Sequence, residues 1–337
     1  MKGRILIYGA TGYTGKLFTD YLLANNYKPI LAARSNKVIS LGKELNCETR
    51  IFDTDKVQDN LLDIDILVNL AGPFHKTQNG LIEACLKSKT HYLDIAGEYP
   101  EMVNAFQYDD DAKNKNILII PAAGFGVVPT DIAAKMATDK IINPTHLTIA
   151  YATEGGASRG TLHTVLKDIN MAGVIIRNGE NEFAKPAMKT FKFQLDHKKF
   201  SATYNPWRAD LFTAQKSTGV QNIETYTVFP GFIVKMMKGK LLWLRNLMLK
   251  RIINWMPEGP SAKQLKNGKT YILTIAKNEM GDESRVEIIG PEAYVFTMNC
   301  LLNLIEKIKT NTELRGVLTP SSFGVEIINK IEGISIR

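Results

Sequence analysis

The feature that most constrains this chain is a glycine loop, Gly9-Ala10-Thr11-Gly12-Tyr13-Thr14-Gly15, set between the apolar run Arg4–Tyr8 and a helical stretch, Thr14–Asn25. Between a strand and a helix, each glycine has its own task. Gly9 permits the tight turn, Gly12 lets the backbone approach a pyrophosphate, and Gly15 lets the helix pack close to the strand. The pyrophosphate then rests on the amides and positive end of the helix. Thr11, Tyr13 and Thr14 complete the loop and are candidate cofactor contacts. The spacing is G-x-x-G-x-x-G, a variant of the G-x-G-x-x-G dinucleotide fingerprint.

The pattern around the loop agrees with it. Apolar runs at Arg4–Tyr8, Pro29–Ala33, Glu48–Phe52, Ile64–Leu70, His91–Ile95 and Ile117–Pro121 alternate with helical stretches such as Gln78–Ser88. Near-continuous apolar strands separated by helices predict a parallel sheet covered on both faces. After Pro129 longer alternating strands appear, at His146–Thr153, Lys189–Leu195, Ile223–Phe229, Lys269–Ala276 and Ser284–Ile289, with helices over Thr161–Arg177 and Leu241–Met256. A last helix near Ala293–Lys309 and the tail Gly316–Arg337 read as a return to the first domain. The expected architecture is α/β: a Rossmann doubly wound parallel sheet over 1–130 and 292–337, with an inserted, mainly antiparallel α+β domain over 131–291.

The end of the second strand sets the cofactor. An acidic residue there accepts hydrogen bonds from the ribose hydroxyls of NAD and repels a 2′-phosphate. This chain has Ala33-Arg34-Ser35 instead. Arg34 offers a charge-assisted clasp for a 2′-phosphate, supplemented by Ser35, so NADP is expected. Asp53, ending the third strand, fits either an adenine contact or a helix N-cap. Asn69 to Phe74 follow the fourth strand, where the small residues Ala71, Gly72 and Pro73 leave room for a nicotinamide ring.

Composition narrows the class. Across 337 residues, 45% are hydrophobic and 23% charged, enough for two domains with their own cores. Cys47, Cys85 and Cys300 are far apart, so neither a disulfide scaffold nor a metal site is expected, and a cytoplasmic setting fits. Arg4 opens directly into a strand, which argues against a secretory leader. The formal charge is +8, but no nucleic-acid motif accompanies it. The surplus is local, with six Lys or Arg and no Asp or Glu from Thr225 to Pro257. Within it, 232–256 combines basic and apolar residues. It fits docking to an anionic membrane surface or an acidic carrier protein, and equally a core-packed helix with one solvated face.

With those pieces placed, the chain resembles the saccharopine dehydrogenase-like oxidoreductases, including the trans-acting enoyl reductases of lipid biosynthesis. The ordered set that carries the resemblance is Gly9–Gly15, Ala33-Arg34-Ser35, Asn69–Phe74, Tyr92-Leu93-Asp94-Ile95-Ala96-Gly97-Glu98, Gly124-Phe125 through Pro129-Thr130-Asp131, Gly155–Thr161, Gly259-Pro260-Ser261 and Gly316–Pro320. The resemblance implies a Rossmann domain, an inserted β-rich domain and NADP-linked chemistry. Two positions depart from the family pattern. Ala123 and Gly126 stand where a Cys and an Asp are usual, so no thiol or carboxylate role passes to them. Arg159 interrupts the serine-glycine-glycine-threonine motif and is a candidate for an anionic substrate group.

Hydride transfer to or from a C=N or activated C=C bond also needs a proton source. Tyr92, Asp94 and Glu98 flank the end of the fifth strand and are the catalytic candidates. The competing reading for Asp94 and Glu98 is structural, bonding backbone N–H groups or capping the next helix. His75 is a second choice and His163 reads as a capping residue. A small-molecule or acyl substrate is expected, with a homodimer as a candidate assembly. The alternative class is a non-catalytic, NADP-sensing Rossmann protein, which the glycine loop and Arg34 fit equally.

Overall fold

The computed structural model describes residues 3–168, 173–238, 255–311 and 313–337. The chain folds as two compact units, Met1–Gly124 with Thr297–Phe323, and Phe125–Phe296 with Gly324–Arg337.

The first unit holds β1 (Ile5–Tyr8), β2 (Ile30–Ala33), β3 (Thr49–Ile51), β4 (Ile66–Asn69), β5 (His91–Asp94) and β6 (Leu118–Ile120). A short strand, Gly316–Val317, completes one parallel sheet in the order Gly316–Val317, β6, β5, β4, β1, β2, β3. The order reverses beside β1, which lies between β4 and β2, the switch point where such sheets bind ligands at their carboxyl ends. Every residue of β1, β2 and β4 is buried, which is why these strands read as unbroken apolar runs. Helices α1 (Tyr13–Ala24), α2 (Lys37–Leu45), α3 (Phe74–Ser88), α4 (Tyr99–Phe106) and α5 (Asp109–Lys115) form the crossovers. Leu81, Ile82 and Cys85 of α3 pack with Leu6, Leu67, Tyr92 and Ile119 in one core.

The second unit contains β7 (His146–Thr153), β8 (Gly173–Arg177), β9 (Glu180–Ala184), β10 (Thr190–Leu195), β11 (Lys198–Tyr204), β12 (Asn222–Thr227), β13 (Lys269–Lys277) and β14 (Glu283–Pro291). They pair in the order β10, β11, β12, β7, β13, β14 and Ser335–Ile336, with β8 and β9 branching from β12. This sheet is mixed, because β12 runs parallel to β7 while the other pairs are antiparallel. Helices α6 (Val128–Thr138), α7 (Arg159–Asp168), α8 (Ala209–Thr218), α9 (Gly231–Lys238) and α10 (Ala262–Asn267) accompany it. α6 packs on β13, β14 and α8. A separate cluster, including Phe193, Tyr204, Tyr226, Tyr271 and Leu273, forms this unit's second apolar centre.

Two expectations change, and a third lies mostly outside the described residues. Of the helix expected over Thr161–Arg177, the described part lies within Arg159–Asp168, while Gly173–Arg177 is a strand; Val174, Ile175 and Ile176 are β-branched and pair with β9. The tail does not stay with the first unit, since Ser335–Ile336 pairs with β14. The helix expected at Leu241–Met256 falls mostly on 239–254, outside the described residues. Of 232–256, the described α9 packs Ile233, Val234 and Met237 with Ala187, Trp207 and Phe229, leaving Lys235 and Lys238 exposed. Trp255 is 90% exposed.

Candidate functional site

The glycine loop closes at the carboxyl end of β1. Gly9 sits at φ +88°, and a Cβ there would lie 2.8 Å from the Ala71 backbone nitrogen, so only glycine fits the turn beside the loop after β4. At Gly15 a Cβ would lie 2.2 Å from the Gly9 carbonyl oxygen, so α1 is drawn against the loop as closely as backbone allows. Gly12 is the N-cap of α1, with no side-chain cap and no acidic residue in the first turn. A helix start of this kind is suited to an anion. The Ala32 carbonyl accepts from the Gly9 and Ala10 N–H groups at 2.8 and 3.2 Å. The loop and the end of β2 are thereby one rigid piece, from which Arg34 and Ser35 follow, both exposed.

Tyr8 and Phe52 stack with centroids 5.1 Å apart beneath this edge. Burial pushes the Tyr8 phenol up to about 12, with Asp53 adding to the rise and Arg34 opposing it. Asp53 is exposed, and its Oδ1 accepts from the Thr54 N–H at 2.8 Å in a turn. It caps no helix.

Beyond β4, Gly72 and Pro73 are exposed and lead into α3. A Cβ on Gly72 would meet only the Phe74 ring, at 4.0 Å. The backbone here is set by Asn69, fully buried. Its Oδ1 accepts from the Ala71 N–H at 3.0 Å, and its Nδ2 donates to Thr77 Oγ1 at 3.1 Å and Tyr92 Oη at 3.0 Å. Thr77 in turn donates to the Ala71 carbonyl at 2.8 Å.

Tyr92 and Asp94 lie inside this network, with no exposed surface on either. Tyr92 donates to Asp94 Oδ2 at 2.9 Å, and Gln78 Nε2 donates to the same oxygen at 2.8 Å. Asp94 Oδ1 accepts the Ala96 and Ala122 N–H groups at 3.0 and 2.9 Å. Burial raises the pKa of Asp94 and the donors act against that rise; Tyr92 is raised far above its ordinary value, chiefly by burial. Both carboxylate oxygens are engaged, and the structural reading raised for Asp94 describes its surroundings. Glu98 differs. It is half-buried, and its carboxylate accepts the Gly97 N–H at 2.7 Å without capping α4. His75 and His163 are exposed.

Sequence reasoning passed over Thr77 and Gln78. Their signal was a pair of polar residues on the α3 face that continues into Leu81, Ile82 and Cys85, all buried. Among the described residues no group of His, Cys, Asp and Glu is arranged to hold a metal, and no helix is long and apolar enough to cross a membrane.

In the second unit the Gly155–Thr161 segment is built around α11 (Ala293–Thr310), whose first residues belong to this unit. The Tyr294 hydroxyl accepts from the Ser158 N–H at 2.9 Å and lies 3.1 Å from Thr161 Oγ1. Arg159 pairs with Glu258 at 3.2 Å. Glu292, also missed from sequence, is fully buried. Its Oε2 accepts the Tyr294 and Val295 N–H groups, and Oε1 has no hydrogen-bond partner among the described residues. Burial lifts its carboxyl to about 7.

Comparison with known proteins agrees with this geometry. A protein of Mycobacterium tuberculosis named as a trans-acting enoyl reductase is 28% identical over 187 residues, covering 50% of this chain and 44% of that one. A saccharopine dehydrogenase-like oxidoreductase of Bos taurus is 25% identical over 181 residues, covering 45% and 42%. The matches span less than half the length of these relatives. The saccharopine dehydrogenase (L-Glu forming) of Saccharomyces cerevisiae shares the fold across 99% of both chains, with a TM-score of 0.66 at 12% identity. Residues 5–120, which span β1 to β6 and carry the glycine loop, match the family described as saccharopine dehydrogenase NADP binding domain. That segment is what the chain shares with the NADP-binding domains of the saccharopine dehydrogenase family.

Proposed function

We propose that the protein is an NADP-dependent oxidoreductase that transfers a hydride to or from a C=N or activated C=C bond of a small-molecule or acyl substrate. The observation that carries this reading is the glycine cradle joined through Ala32 to an exposed Arg34, with no acidic residue at the end of β2. Bound NADP supplies the hydride chemistry. The chain's own part is to hold the pyrophosphate over Gly9–Gly15, the 2′-phosphate at Arg34 and Ser35, and the nicotinamide end at Ala71–Pro73. The acyl class of substrate is taken from the name of the Mycobacterium tuberculosis relative.

In this reading Tyr92 and Asp94 are positioning residues. Both are sealed, and together with Asn69 they fix the backbone on which the ring rests. Glu98 is the accessible carboxylate of the three and keeps its candidacy as the proton-handling group. One observation favours the NADP-sensing alternative: two of the three candidate acids are closed off from any ligand.

Turnover separates the two. The full chain is incubated with NADPH and a set of imines and enoyl thioesters while the reduced-nicotinamide absorbance is followed. The reductase reading expects consumption with one of these bond classes. Glu98→Gln should slow it roughly tenfold to a hundredfold, within the range for a lost acid. Gly72→Val should abolish turnover while the fold survives, because the space at Gly72 is open to a side chain. NADPH binding without consumption of any substrate in the set would favour the sensor.

A further inference from the structure

Three motifs of the second unit are not needed to hold NADP: Gly155–Thr161, Gly259-Pro260-Ser261 and the residues that open α11. They meet around one loop. The Gly155 carbonyl accepts from Gln264 Nε2 of α10 at 2.5 Å, and Gln264 is itself fixed by the capping box it forms with Ser261. Further along, the Ser158 N–H donates to the Tyr294 hydroxyl of α11 at 2.9 Å, and Ser158 Oγ accepts from the Thr161 N–H at 3.2 Å. One end of the loop is thus pinned to α10 and the other to α11.

Beneath it lies Glu292, with no exposed surface. A Cβ at Gly155 would lie 2.7 Å from Glu292 Cγ and 2.9 Å from Oε1, and one at Gly268 would lie 2.6 Å from Cγ. Two glycine backbones therefore close directly over the side chain. Gly155 also holds φ +142°, a conformation that favours glycine. The two oxygens are treated differently. Oε2 accepts two N–H groups at the start of α11, whereas Oε1 lies against Gly155 with no hydrogen-bond partner among the described residues.

Ionisation in this place is unfavourable. A carboxylate spreads its charge over both oxygens, and one of them would meet neither a donor nor water. The cations of the surrounding elements are engaged or solvated: Lys198 holds Glu154 at 2.6 Å, Arg159 holds Glu258 at 3.2 Å, and Lys263, Lys266 and Lys269 are exposed. The Tyr271 hydroxyl donates to Glu154 at 3.3 Å, and that of Tyr294 is met by Ser158. Burial alone lifts the Glu292 carboxyl to about 7, against the pull of its two N–H donors. With Oε2 taken by those donors, the proton sits on Oε1. Once it leaves, one of the two covers must yield to let water in. Gly268 leads into β13, which is paired on both sides with β7 and β14. Gly155 is held by one side-chain amide, so it is the cover that moves.

We propose that Glu292 is a protonation latch for the Gly155–Thr161 loop: neutral, it lets the loop close over it, and ionised, it releases the loop. What the loop presents, Arg159 and the exposed Thr161, then depends on pH. The latch is independent of hydride transfer and would act equally in a sensor.

Hydrogen exchange of the full chain, followed by mass spectrometry from pH 5.5 to 8.5 and corrected for the pH dependence of intrinsic exchange, reads the latch. Protection across 154–162 should fall roughly tenfold, with a midpoint near pH 7, while β13 stays protected, which tells local release from global unfolding. The infrared band of the protonated Glu292 carboxyl should vanish over the same range. Glu292→Gln, which keeps an oxygen for the α11 N–H groups and cannot ionise, should lack both the band and the fall in protection. Loop protection that does not change with pH in the parent, an equal fall in Glu292→Gln, or a fall shared by β13 would overturn the proposal. Should the variant not fold, the parent decides: midpoints of band and loop that coincide support the latch, and a carboxyl that titrates without the loop responding sinks it.

Discussion

Asp94 shows how a residue type can point to chemistry while its surroundings assign it to architecture. A carboxylate at the carboxyl end of a Rossmann strand is a reasonable proton donor from sequence, yet here it gathers the N–H groups of Ala96 and Ala122, the Tyr92 hydroxyl and the Gln78 amide. Removing it would leave four donors without their acceptor in a buried place, and each such loss costs about 1–3 kcal/mol. Asp94→Ala should therefore destabilise the protein by about 3 kcal/mol or more in urea melts. Asp94→Asn, which keeps the shape and part of the accepting capacity, should cost clearly less. A change below about 1 kcal/mol for Asp94→Ala would mean the network is not holding this edge of the sheet. The residues of the glycine loop were readable because backbone clearance dictates them: Gly9 and Gly15 face atoms within 2.8 and 2.2 Å of a missing Cβ. The pairing of Asp94 was not readable, since Gln78 reaches it only through tertiary structure, as Asn69 reaches Tyr92.

Among elements, β1, β2 and β4 were legible because burial on both faces leaves an uninterrupted apolar signature. β9 lacked that signature, with four of its five residues exposed, and β8 was absorbed into an expected helix because a short apolar run serves either structure. The helix beginning at Ala293 was legible, but the residue before it was not: Glu292 looks like a surface residue until Gly155 and Gly268 are seen packed on its side chain. Its carboxyl rises from 4.5 to about 7 because burial disfavours the charged form. The folded state thus holds the proton more tightly than the unfolded state. The stabilisation is full below about pH 4.5 and is lost as pH rises through about 7. Glu292→Gln removes this dependence. The stability difference between parent and variant should move by about 2 kcal/mol in the variant's favour between pH 4.5 and 8, a figure reduced from the full value of the shift to allow for local hydration. A pH-independent difference in denaturant melts would show that the carboxyl titrates normally.

At the scale of the whole molecule, the chain passes from the first unit to the second after Gly124, returns at Thr297 and leaves again after Phe323. The alternation of strand and helix made the first unit's topology readable. The second unit was readable as a β-rich insertion but not as a mixed sheet, because the parallel pairing of β7 with β12 is set by partners far apart in sequence. The localisation of positive charge between Thr225 and Pro257 was equally plain, though most of it falls outside the described residues. If Arg34 clasps the 2′-phosphate, the first unit holds NADP and distinguishes it from NAD. Calorimetric titration of the full chain with NADPH and with NADH checks this. NADPH should bind clearly more tightly, and Arg34→Ala should lose about 1.5–3 kcal/mol of that affinity with NADH nearly unchanged, the range for a charged hydrogen bond. Equal affinity of the unsubstituted protein for the two nucleotides, or Arg34→Ala binding NADPH as tightly as the parent, would contradict it.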